Sequence, residues 1–448
     1  MTKIKDNIVI FFIAVLVSVG GILYGYDVGV ISGALLFVRN TIPLTDTQLG
    51  LIGGGMFWGG LIGTFLAGPV GDRLGRRFLI FLSSVTVIAG VIFILFAETF
   101  TILFIARLLL GVGIGIVAVA VPLYVAEIVP SHVRGKYVTF FQLLLTFGIL
   151  LAYFVDLLFT PSGNWRAMFA VLLIPAIILL FGMFFLPETP RWLIANNQIE
   201  KARRVLKKIR HSQENIEESI QIIQHNLQEI KGSWRELFSY RIVVPSCVAL
   251  LIAIFNQFTG INSFLQYAPL ILKNAGIDSD LVSMMGSVGI GALNFIFTII
   301  AIAFIDSVGR RPLLLAGVGG VVISEIYLGV VNYFFLSSSY VGILSLIGLL
   351  SFIIFFAIGP GVVVWLVISE LFPTRIRGKG IAICLFFNSL ASAGLTTFFL
   401  PLINVLGIGK TYWLFAFLTG IYFLITYFFL PETKSKTLEE IQHVFSKN

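Results

Sequence analysis

Along this chain polar residues come in short clusters separated by long apolar runs. The runs are about 20 residues or more, the length a helix rising about 1.5 Å per residue needs to cross the hydrocarbon of a bilayer. The pattern predicts twelve spans, at about 8–38, 48–69, 78–97, 101–128, 136–157, 166–186, 241–272, 281–305, 312–335, 341–369, 379–402 and 411–430. Between the sixth and seventh runs lies the one long polar stretch, 191–240. Within and beside it Ile216, Ile220, Ile223, Leu227 and Ile230 recur at near-helical spacing, which predicts short amphipathic helices under the bundle. The fold class that follows is an all-α membrane protein: an N-terminal bundle over 1–190, a cytoplasmic helical linker over 191–240, and a C-terminal bundle with a short tail over 241–448.

Composition agrees. Of 448 residues 58% are hydrophobic and 12% charged, against about 25% charged in soluble domains. A net charge of +8 would suit a nucleic-acid partner, but its distribution does not. With Lys3 placed inside, Arg39, Arg166, Lys273 and Lys410 fall in outward loops, Arg107 falls inside a span, and every other Lys and Arg lies on the cytoplasmic side. That bias fixes both ends of the chain in the cytoplasm and predicts a multi-pass inner (plasma) membrane protein in a lipid bilayer, with no nucleic acid as partner. The run behind Lys3 and Lys5 is too long for a signal peptide and lacks a small-residue cleavage pattern, so it reads as a retained first span. Cys247 and Cys384 lie in separate predicted spans and read as core packing, and the four histidines form no ligand cluster. The absence of an Asn-x-Ser/Thr sequon points to a bacterial source.

The chain also repeats itself. DRLGRR at 72–77 returns as DSVGRR at 306–311, AEIVPSHVRGK at 126–136 as SELFPTRIRGK at 369–379, and PETPR from 187 as PETKS from 431. Three motifs in the same order at equivalent loops mean that a six-span unit was duplicated. Paired halves of this kind form a transporter architecture, with the site between them near the midplane. The repeated loops set Arg76, Arg77, Arg134, Arg310, Arg311 and Arg377 beside Asp72, Glu127, Asp306 and Glu370. Such pairs can hold the two halves shut at a cytoplasmic mouth; the cations alone would equally serve as topology anchors.

Within the membrane, Asp27 sits in YGYDVGVISG, in a run uncharged from Asn7 to Gly25 and again until Arg39. A charge there costs about 2.5 kcal/mol or more and by default marks an ion or substrate pathway. The second such charge is Arg107, followed by Gly111, Gly113 and Gly115, whose size lets another helix approach closely. A buried guanidinium needs a partner, and Asp27 is the nearest in chemical terms. The pair is either a static structural contact or a group that loads and unloads protons. Glu325, in the ninth span, is an unmatched acid.

With DRLGRR and its repeat, RLLLGVGIG in span four, PETPRWL after span six, NQFTGIN in span seven and the closing PETK, the chain resembles the sugar porter branch of the major facilitator superfamily over nearly its whole length. The resemblance implies the major facilitator fold, two pseudo-symmetric six-helix bundles. It favours a proton-active Asp27, since proton-coupled members carry an acid in the GYD segment where facilitative glucose carriers have Asn. It also marks Gln142, Asn256, Gln257, Asn262, Asn294 and Asn388 as sugar-contacting amides, and Trp365, in GPGVVVW, as the aromatic that lies against a pyranose face, with Tyr267 on the same grounds. The same amides could instead glue helices together. Two departures bear on which sugar fits: Asn256 stands where Gln is usual, and Ser389 where many relatives have Trp.

The implied function is proton-coupled symport of a monosaccharide, pentose or hexose, by alternating access. The protein would work as a monomer, with the proton as coupling ion and no cofactor or metal. The alternatives are a uniporter in which Asp27 is structural, and a sugar sensor that does not transport. An enzyme is not expected. GIGKT at 407–411 lacks the first glycine of a phosphate-binding loop, that position being Asn404, and no Ser-His-Asp, paired-Cys or metal-ligand spacing occurs.

Overall fold

The computed structural model describes residues 2–129, 134–209, 216–228, 234–239, 242–336, 338–373 and 376–434. Among them, twelve helical segments are long and apolar enough to cross a membrane: Phe11–Asn40, Asp46–Leu74, Arg76–Leu95, Phe100–Ile128, Thr139–Ser162, Trp165–Gly182, Val243–Asn274, Asp280–Val308, Arg310–Phe334, Val341–Leu371, Arg377–Leu406 and Ile408–Phe429. These are spans 1 to 12 below. Each matches a predicted run within a few residues. Large apolar side chains such as Phe65, Phe185 and Phe428 stand exposed on the outside of the bundle, where lipid rather than water is their solvent.

Three spans are interrupted where the apolar pattern predicts continuity, span 6 by a tight turn at 171–172 between Trp165–Ala170 and Leu173–Gly182, and spans 7 and 10 by sharper breaks. Span 7 stops at Phe258 and restarts at Ile261, across Gly260 at φ 73°, a left-handed conformation that favours glycine. Span 10 breaks at Gly359; Pro360, which lacks the N–H that would continue the ladder, opens its second half at Pro360–Leu371. Their counterparts in the first half, spans 1 and 4, run unbroken. The duplication is therefore not a symmetric one, and the half-helix ends at Gly260 and Gly359 are in the second half.

Glycines set the helix spacing. In span 1, Gly21, Gly25, Gly29 and Gly33 recur every four residues and so share one face, the face against span 5. A Cβ on Gly25 would lie 1.8 Å from the Leu145 carbonyl oxygen. In span 4, Gly111 and Gly115 lie against the backbone of span 2, where a Cβ would come within 2.2 Å of Met56 O and 2.4 Å of Gly60 O, while Gly113 lies against span 3. The expectation of close approach at these three glycines holds.

The repeated motifs fold alike. Gly75 and Gly309 take the same backbone conformation, φ 97° and ψ 163° against φ 107° and ψ 163°. Each opens a helix whose first N–H groups are capped by a distant carboxylate: Arg76 N and Arg77 N donate to Glu188, and Arg310 N and Arg311 N donate to Glu432. Those acids are the glutamates of PETPR and PETK, and they supply what a helix N-terminus lacks. In the linker, helix Ile199–Ile209 buries Ala202, Leu206 and Ile209; in Ile216–Gln228, of the positions the spacing singles out, Ile220 is buried and Ile216, Ile223 and Leu227 are half-buried, while Ile230 lies outside the described residues.

The apolar core shows how the halves meet. One cluster runs through the first half and continues without a gap into the second through Ile261, Phe264, Leu265, Phe352, Phe399 and Tyr412. A separate cluster, including Val248, Leu314, Val364 and Ile425, fills the other end of the second half. The halves share a core toward the end that carries Asp46 and Asn404, called the far end below, and have distinct cores toward the end with the repeated basic loops, the basic end.

Candidate functional site

In span 1, the four-residue glycine spacing leaves Asp27 on a different face from the one against span 5. There it meets span 4. Asp27 and Arg107 are both fully buried, and Arg107 Nη1 donates to Asp27 Oδ1 at 2.5 Å. The guanidinium has further support, since Nε donates to Ile52 O at 3.2 Å and its carbon lies 5.5 Å from the Phe169 ring centroid. Among the described residues, Asp27 Oδ2 and Arg107 Nη2 have no partner. The pair expected from chemistry is present, and a proton arriving on Asp27 would cancel the charge that holds Arg107.

Across from it, the amides gather at the break in span 7. Gln257 Nε2 donates to Asn388 Oδ1 at 3.2 Å. Asn262 Nδ2 donates to Gln257 Oε1 and to Ser392 Oγ, both at 2.8 Å. Asn388 Nδ2 donates to Ala253 O at 2.8 Å. The break places Gln257 at the end of one half-helix and Asn262 at the start of the next, and a four-residue step puts Asn388 and Ser392 together on span 11. Asn256 is buried with Oδ1 unpartnered. Asn294 is buried on span 8, and Gln142 and Trp365 are half-buried on spans 5 and 10. Neutral donors and acceptors in a largely dry place are what a polyol requires and what a charged ligand would not tolerate.

Two sequence expectations change here. Tyr267 is buried and its hydroxyl is already spent on Thr396 O at 3.1 Å, with its ring stacked on Phe399 at 5.2 Å. The residue beside it, Gln266, is fully buried with neither amide atom partnered. Gln266 stands one turn after Asn262, a step that places both on one helix face and was the available signal; Ser392 relates to Asn388 in the same way.

The basic loops also differ from expectation. Arg76 pairs with Asp72 at 3.2 Å and Glu127 at 3.3 Å, and Arg310 with Asp306 at 3.0 Å and Glu370 at 3.6 Å. Arg77 donates to Met183 O, Arg311 to Tyr427 O, and Arg377 to Phe372 O. Each of these contacts lies within one half, so in this conformation they do not clasp the halves together. The Arg134 side chain lies outside the described residues. Glu188 and Glu432, unassigned from sequence, are the centres of these loops; burial pushes the Glu188 carboxyl above the usual range, against the pull of its backbone N–H donors.

Hydrogen bonds between described residues that join the halves include three toward the far end. Trp58 Nε1 donates to Thr397 Oγ1 at 3.1 Å, Tyr153 OH to Leu265 O at 2.8 Å, and Asn404 Nδ2 to Asp46 Oδ2 at 2.7 Å. Two further corrections concern the membrane interior. Asp156, within span 5, is a fully buried acid, although its place near the end of the apolar run suits an interfacial residue. Cys247 is exposed on the bundle surface, because its position in span 7 faces outward; Cys384 is buried as expected.

Comparison with known proteins agrees with this geometry. A family model for sugar (and other) transporters matches residues 13–445. The chain is 35% identical over 436 residues to the glucose transporter GlcP of Staphylococcus epidermidis, covering 97% of this chain and 96% of that protein. It is 33% identical over 440 residues to the galactose-proton symporter of Escherichia coli, covering 98% and 94%. Its fold superimposes on a partially occluded inward-open form of the xylose transporter XylE from E. coli with a TM-score of 0.84 at 29% identity, over 96% of this chain and 99% of that one.

Proposed function

Because this chain belongs to the family of sugar (and other) transporters, a family of membrane carriers and not of enzymes, we propose that it is a proton-coupled monosaccharide symporter in which Asp27 carries the proton. The observation that carries the reading is the division of labour between the halves. The first half holds a buried acid–guanidinium pair with one free oxygen and one free nitrogen. The second half holds an uncharged amide cluster at a helix break. A neutral sugar needs the second, and coupling to a proton gradient needs the first.

The sequence of events follows from the contacts. Asp27 takes a proton while the far end is open and loosens its hold on Arg107. Sugar binds between Gln257, Asn262, Asn388 and the flanking Gln142, Asn256, Asn294, Gln266 and Trp365. The far-end contacts of Trp58, Tyr153 and Asn404 then close, the basic end opens, and sugar and proton leave together. A conformation with a shared far-end core and separate basic-end cores is the inward-facing member of that cycle. The basic-loop pairs within each half keep its helix ends rigid as it rocks; a clasp between halves by the same groups belongs to the opposite conformation. On this reading the basic end faces the cytoplasm, the segments flanking the first and twelfth spans lie there too, and one copy suffices. Each positive charge entering gains about 2.3 kcal/mol per 100 mV of membrane potential.

The test is sugar uptake into proteoliposomes with an imposed proton gradient. Asp27→Asn is expected to abolish uphill accumulation and to leave sugar exchange intact; accumulation surviving the change would remove Asp27 from the mechanism. The full burial of both partners and their 2.5 Å contact suit a static pair as well, which is the uniporter reading, and the same experiment separates the two.

A further inference from the structure

Among the described residues, four acidic or basic side chains are fully buried in the spans: Asp27, Arg107, Asp156 and Glu325. The first two neutralise each other. Asp156 has no such cation. Its Oδ2 accepts the Gly33 N–H of span 1 at 3.0 Å, the Ser32 hydroxyl lies beside it, and Oδ1 has no partner. A Cβ on Gly33 would fall 2.6 Å from both Cγ and Oδ2, so the carboxyl lies directly on the span 1 backbone.

The charged groups on the packed elements are committed elsewhere. Arg39 of span 1 pairs with Asp46, Arg107 of span 4 is held by Asp27, Arg166 of span 6 donates to Ala97 O, and Asp280 of span 8 pairs with Lys273. The titratable groups that feel Asp156 are the phenols of Tyr26 and Tyr153, and both donate their O–H to backbone carbonyls, of Met168 and Leu265. A lone carboxylate in so dry a place costs far more when ionised than the neutral acid does.

Position gives that proton a consequence. Three residues before Asp156 on the same helix, Tyr153 makes the bond to Leu265 O that joins the halves, and its ring fills the space over Gly291 of span 8. One short segment of span 5 therefore grips span 1 through Asp156 and the second half through Tyr153. We propose that Asp156 is a second proton-binding site of the carrier, loaded as the far end closes and unloaded as it opens. On opening, the carboxyl O–H bond ionises and the proton passes to water on the far side; on closing, water returns it and the neutral acid packs again on Gly33. The proton is a condition for closure, bound and released on the same side, and is not the one carried with sugar.

The proposal shares with symport only the alternation of access, so it is tested with Asp27 removed. Sugar exchange is measured in proteoliposomes with Asp27→Asn and with Asp27→Asn/Asp156→Asn, across acidic, neutral and alkaline pH. With Asp156 present, exchange is expected to fall toward alkaline pH, approaching about tenfold per unit as for one required proton; with Asp156→Asn added, the fall disappears. Identical profiles overturn the proposal, and failure of symport at Asp27 leaves it standing. Should the double variant not fold, infrared spectra of Asp27→Asn protein labelled with 13C-aspartate decide. A protonated aspartate carbonyl band at neutral pH that bleaches on alkalinisation is expected, whereas no band, or one that never bleaches, overturns it.

Discussion

Arg107→Met and Asp27→Asn, alone and together, give the sharpest energetic test of the central pair. Removing one member of a buried ion pair costs about 3–5 kcal/mol, because the other is left as an uncompensated charge, whereas replacing both by neutral groups of similar size costs far less. The surroundings predict which single change is worse. Without Asp27, Arg107 keeps Ile52 O at 3.2 Å and the Phe169 face at 5.5 Å, so Asp27→Asn falls at the low end of that range. Without Arg107, Asp27 keeps no cation, and Oδ2 already lacks a partner. Arg107→Met then forces Asp27 either to bury an unpaired charge or to bind a proton, and falls at the high end. The double variant is expected to be at least as stable as Arg107→Met alone. The assay is detergent-titrated unfolding of purified protein at neutral pH, followed by tryptophan fluorescence. A double variant that loses the sum of the two single losses would mean the groups act independently, and the pair would then not be the unit assigned to it.

Other expectations follow from single contacts. Gly25→Ala places a Cβ 1.8 Å from Leu145 O and must drive spans 1 and 5 apart, so little folded protein should survive size-exclusion chromatography, whereas Gly394→Ala, with nothing within 4 Å, should leave the elution profile unchanged. Gln257→Ala removes the amide that bonds both Asn262 and Asn388, and is expected to raise the sugar KM by about tenfold to a hundredfold while exchange at saturating sugar persists; an unchanged KM would take the cluster out of the site. Glu188→Gln weakens the cap on span 3 and should lower stability by about 1 kcal/mol at neutral pH. Because the Glu188 carboxyl is raised on folding, the folded state binds its proton more tightly. Its contribution therefore falls as pH climbs from the ordinary carboxylate range to the raised value, and melting curves across that window should lose this slope in Glu188→Gln.

The span count was legible because hydrocarbon thickness sets a length that composition must obey, the linker helices because their apolar residues recur at helical spacing, and the duplication because loops with the same task kept the same letters. The Asp27–Arg107 contact was legible from charge alone, since two isolated opposite charges in hydrocarbon have few other partners. The breaks at Gly260 and Gly359 were not, because an apolar run reads the same whether its helix is continuous or cut, and the cut is set by backbone conformation. Asp156 was missed near the end of its run, where an acid passes for an interfacial residue until Gly33 is seen resting on it. Gln266 was hidden behind Tyr267, the more conspicuous neighbour, although helical phase with Asn262 points to it. The partition of ion pairs into the two halves is a tertiary fact with no trace in spacing.

The most direct test of the account is proton movement driven by sugar. Purified protein in liposomes with no gradient is given a pulse of each monosaccharide while external pH is recorded. Symport through Asp27 predicts that a transported sugar makes the medium more alkaline, and that Asp27→Asn abolishes the signal while sugar still enters. Entry of sugar without alkalinisation by the unaltered protein would contradict proton coupling and leave a uniporter with a structural ion pair.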